Sequence, residues 1–320
     1  MKAIALFALA FAVNAVAADG GWRPDRPVRL LIPQAPGGAA DAAARAFTPK
    51  FLEALGQPWV LDNRPGAAGN IAAELVAQSN PDGQTVLLGL STSITANPLL
   101  YKLPYNPQRD FAPIAMVTAG QYVLVLHPTV KAETLKDFVG LARARPGTLN
   151  FSSGGGTGAP SHLAAELFKS RAGIDIVHVP YKGGGPGLVD LLSGQMQFMM
   201  TTTPAAMPHV KTGKVRALGV TSAKRSQSLP DLTSIAEAGV KGYEVSTWYG
   251  VLAPAKTSKA IVTKLHGEIV RLIAVPDTRD KLLVQGFEPV GSTPDEFAAY
   301  IKSEIAKWAK VIKTAKIKAE

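Results

Sequence analysis

Short β-rich runs alternate with helical patterns along most of this 320-residue chain. This alternation is typical of an α/β fold, because two parallel strands need a crossover connection, which is usually a helix. The length favours two lobes over one. Strands are predicted at 28–32, 59–63, 86–90, 122–126, 149–152, 174–179, 197–201, 215–221 and 245–253. Helices are predicted after the first strand, at 66–78, 134–145, 161–172 and 187–193, and three times near the end of the chain.

Residues 28–47 combine a buried strand, a glycine turn and the start of a helix. The backbone N–H groups of Gly37, Gly38, Ala39 and Ala40 have no intrahelical acceptors, and the helix dipole adds partial positive charge there. A carboxylate or phosphate can bind to such groups. The alternative is an ordinary strand-to-helix turn in which Asp41 caps the helix from its first turn.

Polar and glycine-rich residues cluster directly after four predicted strands, at 37–38, 91–93, 152–157 and 201–203. In doubly wound sheets ligands bind at the carboxyl ends of the strands. The clusters are rich in hydroxyls and main-chain amides and contain no Lys or Arg. They therefore predict a small carboxylate held by neutral donors. For any single cluster the alternative is a turn that caps a helix.

The first eighteen residues have the organisation of a secretion signal. Lys2 precedes an uncharged apolar run at 3–13, and Ala15-Val16-Ala17 matches a signal-peptidase site, so we expect a signal peptide at 1–17. The apolar run is too short to span a bilayer. The chain has no cysteine, and therefore no lipid-attachment site and no disulfide. These features predict an exported, periplasmic protein.

The chain carries a formal net charge of +10, and six lysines against two glutamates follow residue 301. Residues 297–312 repeat apolar side chains at three- and four-residue spacing, which predicts a helix with one apolar face. Thr293-Pro294-Asp295-Glu296 begins this helix with a capping box. We expect the helix to dock on one lobe with its lysines in water. Aromatic residues do not alternate with these lysines, so nucleic acid is not expected as a partner.

Seven segments carry a resemblance to a known family. They are RPVRLLIPQAPGGAAD at 26–41, LGQPWVLDNRPGAAGNIAAE at 55–74, PDGQTVLLG at 81–89, NPLLYKLPYNPQRDFAPI at 97–114, SHLAAELFKSRAGIDIVHVPYKGGGPGLVDLLSGQMQ at 161–197, VRALGVTSAKRSQSLPDL at 215–232 and WYGVLAPA at 248–255. In this order the chain resembles the Bug (Bordetella uptake gene) family, the periplasmic solute-binding receptors of tripartite tricarboxylate transporters. The resemblance covers essentially the whole mature chain.

The resemblance implies a type II periplasmic-binding-protein fold, in which two α/β lobes are joined by two crossing segments and the ligand is bound in the cleft between them. One lobe is expected at 18–122 and 246–320, and the other at 123–245. The implied ligand is a small di-, tri- or aromatic carboxylate, captured for uptake or for sensing. The implied partners are the membrane components of the transporter. A monomer without a cofactor, a metal or enzymatic activity is expected.

Carried over residue by residue, the resemblance implies ligand contacts in the loops of both lobes. They are Gln34, Gly37, Gly38, Ala39, Ser91, Thr92, Ser93, Ser153, Gly154, Gly155, Gly156, Thr157, Ser161, Thr201, Thr202 and Thr203. Relatives often carry an aromatic residue at the position of Gln34, and an Asp followed by an amide residue at Thr201-Thr202. The first departure makes the pocket more polar. The second removes a negative charge facing the cleft, which disfavours a ligand with an amino group there.

Five further side chains have more than one interpretation. Asp41 is assigned to structure, because a carboxylate there repels an anionic ligand and is stabilised by the helix dipole. His162 either donates to a ligand or is a surface or capping histidine. His178, within an apolar strand, is interpreted as a core histidine. Trp248 and Tyr249 either contact the ligand or form the core of the hinge, and the hinge is favoured.

A different class of protein is an exported nucleotide-dependent oxidoreductase. Residues 154–159 satisfy the dinucleotide-binding pattern G-x-G-x-x-G/A, and Asp175 follows about 20 residues later. However, Asp175 begins the next strand, whereas a ribose-binding acid belongs at the strand's end.

A hydrolase is disfavoured because Ser161 and His162 are only sequence neighbours and no G-x-S-x-G elbow exists. The five histidines lack metal-ligand spacing, and an adhesion module has no repeat to support it.

Overall fold

The computed structural model describes residues 22–154 and 157–318, so the predicted signal peptide at 1–17 lies outside the described residues. The strands are β1 Val28–Ile32, β2 Trp59–Asn63, β3 Thr85–Leu90, β4 Phe111–Leu126, β5 Asn150–Gly154, β6 Val177–Tyr181, β7 Phe198–Thr202, β8 Arg216–Val220, β9 Ser246–Pro254 and β10 Phe287–Pro289. The helices are α1 Ala39–Phe47, α2 Phe51–Leu55, α3 Asn70–Ala77, α4 Asn97–Leu100, α5 Pro107–Asp110, α6 Leu135–Ala144, α7 Pro160–Ala172, α8 Gly184–Leu192, α9 Thr203–Lys211, α10 Lys259–Ile273, α11 Pro276–Val284 and α12 Pro294–Thr314. Every strand predicted from the sequence is present within a few residues.

Strand β4 is shared by two groups of strands. From Phe111 to Gln121 it pairs with β9, and from Tyr122 to Leu126 it pairs with β7 and β8. We call the part built on the first group lobe 1 and the part built on the second group lobe 2. The sequence predicted only the second part of β4, because Pro113 and Gly120 weaken the strand pattern of the first.

Lobe 1 has the strand order β2-β1-β3-β9-β4, with β1 parallel to both of its neighbours. Strand β1 is buried on both faces, as is usual for the inner strands of parallel sheets. Leu30 packs into a core with α1 and α10, whereas Leu31 packs into a second core with α3 and α12. Because β1 and β3 are parallel, the loops that follow them leave the sheet at the same end of the strands.

Lobe 2 continues the order as β4-β7-β5-β6, with β8 on the other side of β4. Strand β5 is parallel to β6 and β7. Phe138, Phe151, Phe168 and Phe198 form the centre of its larger core. The alternation of strands and helices follows the sequence prediction, and the loops after β5 and β7 leave this sheet at one edge.

Helix α12 packs on both lobes. Thr293 and Glu296 form the predicted capping box. Phe297 and Ile301 belong to a core of lobe 1, whereas Trp308 and Val311 belong to the larger core of lobe 2. The sequence predicted docking on a single lobe, but the helix is long enough to reach both. Its lysines at 302, 310, 313, 316 and 318 are exposed, as predicted.

The side chain of Thr221 joins the two segments that cross between the lobes. Its buried hydroxyl accepts a hydrogen bond from the N–H of Tyr122 at 2.8 Å and donates to the carbonyl oxygen of Val245 at 2.7 Å. The backbone of Thr221 also bonds to both residues. One residue therefore holds the two crossings side by side.

Candidate functional site

A cavity of about 570 Å³ lies between the lobes, a size within the range of small-molecule sites. Its walls come from the loops after β1 and β3, the loop between α11 and β10, and the first residues of α7 and α9. Its floor is formed by the crossing parts of β4 and β9. Seven of the residues implied by the resemblance line it: Gln34, Gly37, Ala39, Ser91, Thr92, Thr202 and Thr203.

The backbone amides at the start of α1 are largely occupied by groups of the protein itself. The N–H of Gly37 donates to the Asp41 carboxylate at 3.0 Å, and that of Gly38 donates to the carbonyl oxygen of Ala35. The N–H of Ala40 donates to Gln34 Oε1 at 2.8 Å. Three of the four amides are therefore paired within the protein, and the bond from Gly37 to Asp41 agrees with the alternative in which Asp41 caps this helix. Of the four amides, only that of Ala39 has no hydrogen-bond acceptor among the described residues, 22–154 and 157–318.

Asp41 is 2% exposed and organises this loop, which confirms its structural assignment. Its carboxylate accepts hydrogen bonds from Arg45 Nε at 2.7 Å and from Asn63 Nδ2 at 3.1 Å. The hydrogen bond from Arg45 is the main reason that the pKa of Asp41 falls to about 2, and the Gly37 amide adds to it. Asp41 is consequently ionised at neutral pH, and Arg45 neutralises its charge.

The loop after β3 presents hydroxyls to the cavity from a π-helical turn at 92–96. Such turns are rare and often occur at functional sites. Ser91 and Thr92 line the cavity. Ser93 points away, because its buried hydroxyl donates to the carbonyl oxygen of Leu90 at 3.2 Å.

Side chains of lobe 2 form hydrogen bonds at the start of its glycine loop. Ser161 Oγ bonds to both the N–H and the carbonyl oxygen of Gly154, at 3.2 and 3.3 Å. Ser153 is fully buried, with Oγ 2.7 Å from His178 Nε2. Thr157 follows the gap, and Gly155 and Gly156 lie outside the described residues. Of this region, Pro160 at the start of α7 lines the cavity.

The two histidines near the glycine loop stack with ring centroids 3.8 Å apart. His162 is 4% exposed, and its Nδ1 accepts a hydrogen bond from the N–H of Gly158 at 2.9 Å. Burial, together with the charges of His178 and Lys169, lowers the pKa of His162 to about 3. His162 is therefore a neutral, loop-supporting residue. His178 is half-buried on the edge strand β6, where its ring lies 4.9 Å from that of Phe151, so it borders the core rather than lying inside it.

The junction of β7 and α9 places threonines of lobe 2 at the cavity. Thr201 pairs with Val123 inside the sheet and is buried. Thr202 is exposed at the N-cap of α9, and its side chain makes no capping hydrogen bond. Thr203 is 8% exposed and follows it in the cavity wall. This wall presents hydroxyls and no charge.

Sequence reasoning missed the cavity floor at 120–122 and the wall at 284–287. A glycine such as Gly286, which has φ of +78°, indicates the end of a helix but does not indicate a binding site.

Trp248 and Tyr249 both line the cavity and both pack in the core. Trp248 lies 5.1 Å from the ring of Phe297, and Tyr249 lies 5.1 Å from the ring of Phe287.

The part of the cavity wall that the structure describes contains no Asp, Glu, Lys, Arg or His. Across residues 22–154 and 157–318, no group of three or more potential metal ligands is close enough to hold an ion. In the same ranges no helix has the length and apolar character of a membrane span. The arrangement suits a ligand held by hydroxyls, amides and helix N-termini.

Comparison with known proteins identifies the family to which this chain is similar. Residues 43–317 match the family model described as "Tripartite tricarboxylate transporter family receptor". Protein BugT of Bordetella pertussis is 36% identical over 292 residues, which cover 91% of this chain and 89% of BugT.

Two solved structures are similar in both sequence and fold. An R. palustris protein solved with adipate is 37% identical, with a TM-score of 0.77 over 92% of this chain and 99% of that chain. MatC from Rhodopseudomonas palustris with bound malate is 32% identical, with a TM-score of 0.73 over 90% and 99% of the two chains. These likenesses confirm the predicted type II periplasmic-binding-protein fold. The chain belongs to the Bug-type receptor family of tripartite tricarboxylate transporters, as the resemblance in its sequence predicted.

Proposed function

We propose that this protein is a periplasmic receptor that captures a small carboxylate between its lobes for a tripartite tricarboxylate transporter. The observation that carries the proposal is the uncharged cavity, which both lobes line with hydroxyls and amides at the carboxyl ends of their strands. Two similar proteins were solved with dicarboxylates, adipate and malate. The family's role as transporter receptors supports the same function.

The ligand carboxylate is held at α1 by Ala39 N–H and by the Gln34 amide, with hydroxyls of Ser91 and Thr92 opposite. Gln34 Oε1 already accepts from Ala40, so its NH2 group remains to donate to the ligand. Hydrogen bonds to a charged acceptor contribute about 1.5–3 kcal/mol each. Exclusion of water on closure strengthens them, so no basic side chain is required in direct contact.

The remaining predicted ligand residues act indirectly in this proposal. Ser161 holds Gly154 at the end of β5, and Ser153 bonds to His178 beside it, so both serines support the start of the glycine loop. Gly38 keeps the space that Gln34 needs, since a Cβ there would lie 3.1 Å from Gln34 Oε1. Ser93 bonds to the last residue of β3, and Thr201 is a buried residue of β7 itself.

The proposal includes export and the partners of the receptor. Cleavage after Ala17 releases the chain into the periplasm, and intact-mass measurement of periplasmic material checks it, because retention of residues 1–17 contradicts cleavage. The receptor acts as a monomer, without cofactor, and delivers its ligand to the membrane components of the transporter. Delivery to a sensor is the alternative use of the same binding step.

An oxidoreductase is not supported by the position of Asp175. Strands β5 and β6 are parallel and pair Gly154 with Tyr181 at their carboxyl ends. Asp175 precedes β6, so it lies at the amino-terminal ends of these parallel strands, whereas the glycine loop follows their carboxyl ends. A ribose bound beside that loop is out of its reach. We therefore propose that the protein is not an enzyme.

Thermal unfolding with a panel of di-, tri- and aromatic carboxylates tests the function. A ligand at 100 times its Kd adds about 2.7 kcal/mol to the free energy of unfolding. Calorimetry of the stabilising ligands should give one site per chain without any cofactor, and the ligand should be recovered unchanged. If no carboxylate stabilises the protein, or if NAD(H) does so instead, the proposed function is wrong.

A further inference from the structure

Lobe 2 and the adjoining end of α12 carry five exposed cations that form no ion pair among residues 22–154 and 157–318. They are Lys136, Arg143, Arg171, Lys310 and Lys313, which we call the basic face. In lobe 1, by contrast, ion pairs neutralise most of the arginines: Arg26, Arg29, Arg45, Arg64, Arg109 and Arg271. The charges of the basic face are therefore not balanced within the described chain.

Helix geometry and a shared arginine make these cations one surface. Lys136 and Arg143 are seven residues apart on α6, so they lie on the same side of that helix. Arg143 lines two surface cavities, of about 370 and 560 Å³, and Thr314 of α12 lines the larger one. Lys310 lies one turn before Thr314, and Lys313 is its neighbour on the same helix. The basic face therefore continues from α6 to α12.

The smaller cavity combines cations with apolar side chains. Lys136, Arg143 and Arg171 line it together with Val139 and Val240. None of the described residues that line it is acidic. Arg143 Nε donates to the carbonyl oxygen of the last residue of α7 at 3.1 Å, which fixes the guanidinium beside the cavity. Because an arginine has five N–H donors, others remain for an anion.

Three carboxylates lie near the basic face. Glu166 lines the larger cavity, where its Oε1 accepts a hydrogen bond from Lys169 Nζ at 2.8 Å. Asp175 is exposed and lines the same cavity. Asp137 is in the first turn of α6 and bonds to Thr134 in a capping box. Since Glu166 has its own lysine, two carboxylates stand against five cations, and the surface keeps an excess of positive charge.

We propose that the basic face docks the receptor on a membrane surface of anionic phospholipids. A phospholipid joins a negative phosphate to apolar chains, which matches the cations and apolar side chains of the smaller cavity. Cations spread over two helices suit a surface that presents many negative charges. Nucleic acid suits the face less well, because the described residues that line both cavities include no aromatic side chain for base stacking. This inference goes beyond the proposed function and does not depend on which molecule the cleft binds.

Sedimentation with lipid vesicles tests the inference. The protein, without added carboxylate, should bind vesicles of equal parts phosphatidylcholine and phosphatidylglycerol at least tenfold more tightly than vesicles of phosphatidylcholine alone. Salt at about 1 M, where the Debye length is ~3 Å, should release it. Lys136→Glu combined with Lys313→Glu should weaken binding to the anionic vesicles at least tenfold. Both side chains are exposed and form no hydrogen bond among the described residues, so the fold should be retained.

Lys256→Glu combined with Lys259→Glu is the matched control. These two lysines are exposed in lobe 1, and their replacement changes the net charge by the same amount. The control should bind the anionic vesicles within threefold of the wild type. Equal losses in the two double variants would show that net charge alone drives binding, and would overturn the inference.

Two further outcomes would also overturn it. One is equal binding of the wild type to neutral and anionic vesicles. The other is no vesicle binding together with binding of polyglutamate that Lys136→Glu and Lys313→Glu abolish, which would assign the basic face to an acidic protein surface. Titration of the double variants with a carboxylate should match that of the wild type. Failure of membrane docking would therefore leave the proposed function standing, and failure of carboxylate binding would leave membrane docking standing.

Discussion

Gln34 accepts a hydrogen bond from Ala40, so part of the anion-binding capacity of the α1 N-terminus is used within the protein. Asp41 uses another amide, that of Gly37. The exposed N–H groups at this terminus are consequently fewer than a bare helix would offer. Of the amides at 37–40, Ala39 N–H is the one without a partner among the described residues.

Replacement of Gly38 by valine should weaken ligand binding by at least tenfold. The added Cβ would meet Ala35 O at 3.0 Å and Gln34 Oε1 at 3.1 Å, so Gln34 must leave its bond to Ala40. Titration calorimetry with the best ligand measures the loss. Gly140→Ala, at an open surface position, and Lys182→Ala, at an exposed one, are the controls. If Lys182→Ala removes binding and Gly38→Val spares it, the charge-neutral site is wrong.

The lowered pKa of His162 predicts a pH dependence of stability. Its ordinary pKa is 6.5, and burial lowers it to about 3 in the folded protein. The unfolded chain therefore binds more protons between these values, and the free energy of unfolding falls as the pH drops from 6.5 towards 3. The slope from this group is at most about 1.4 kcal/mol per pH unit.

His162→Gln separates this contribution from that of the carboxylates. Glutamine retains an acceptor for the N–H of Gly158 but does not titrate. Urea unfolding at pH 7.0 and 5.0 should show a smaller loss of stability in the variant than in the wild type. Equal losses in the two proteins would contradict the assignment.

These residues show how far local sequence carries a site prediction. Asp41 was assigned correctly from its place in the first turn of α1, although its main partner, Arg45, one helical turn away, was not identified. The sequence left open whether Asp41 or a ligand takes the Gly37 amide, because the two compete for such a group and only geometry decides. Gln285 had no signal, since its place in the cavity depends on the contact of Gly286 with Pro204, far away in sequence.

At the scale of elements, the junction of β7 and α9 determines which charge the cavity tolerates. Thr202 stands at the N-cap of α9, where the helix dipole favours anions. This chain offers hydroxyls, which cannot offset the desolvation of an ammonium group.

Succinate should therefore bind more tightly than aspartate. Thr202→Asp should shift the preference towards aspartate by about tenfold or more, because it introduces a carboxylate into the wall. The exposed N-cap position accepts Asp without cost to folding. Calorimetry with both ligands on both proteins decides it. Tighter binding of aspartate to the wild type would refute the prediction, and Thr202→Ser is the neutral control.

Elements with local signals were predicted well. The capping box at Thr293 and Glu296 depends on residues three positions apart, and it forms as expected. The first part of β4 was missed because its strand character comes from pairing with β9 rather than from its own composition. The contact of α12 with both lobes was likewise invisible, since periodicity defines an apolar face but not what covers it.

At the scale of the whole molecule, several hydrogen bonds connect the lobes beside the cavity. Glu288 of β10 accepts from Ser226 Oγ at 2.6 Å and from the N–H of Gln227 at 2.8 Å. Gln121 Nε2 donates to Ser226 Oγ at 2.7 Å. These bonds lie near the crossings at 122 and 246, which we propose as the lobe boundaries and the hinge.

Ligand binding should reduce the radius of gyration measured by small-angle X-ray scattering, because the loops that bind the ligand belong to both lobes. Gly38→Val, which should not bind, is expected to show no compaction at the same ligand concentration. An unchanged radius for the wild type at saturating ligand would contradict closure around a hinge.

The sharing of α12 by both lobes restricts how such receptors can be recombined. A chimera that takes residues 123–245 from one receptor and the remainder from another would pair a foreign lobe 2 core with the native Trp308 and Val311. Mismatched volumes in a close-packed core cost about 1–3 kcal/mol or more. A graft that transfers ligand selectivity must therefore carry the second half of α12 with lobe 2, although the two segments lie far apart in the gene.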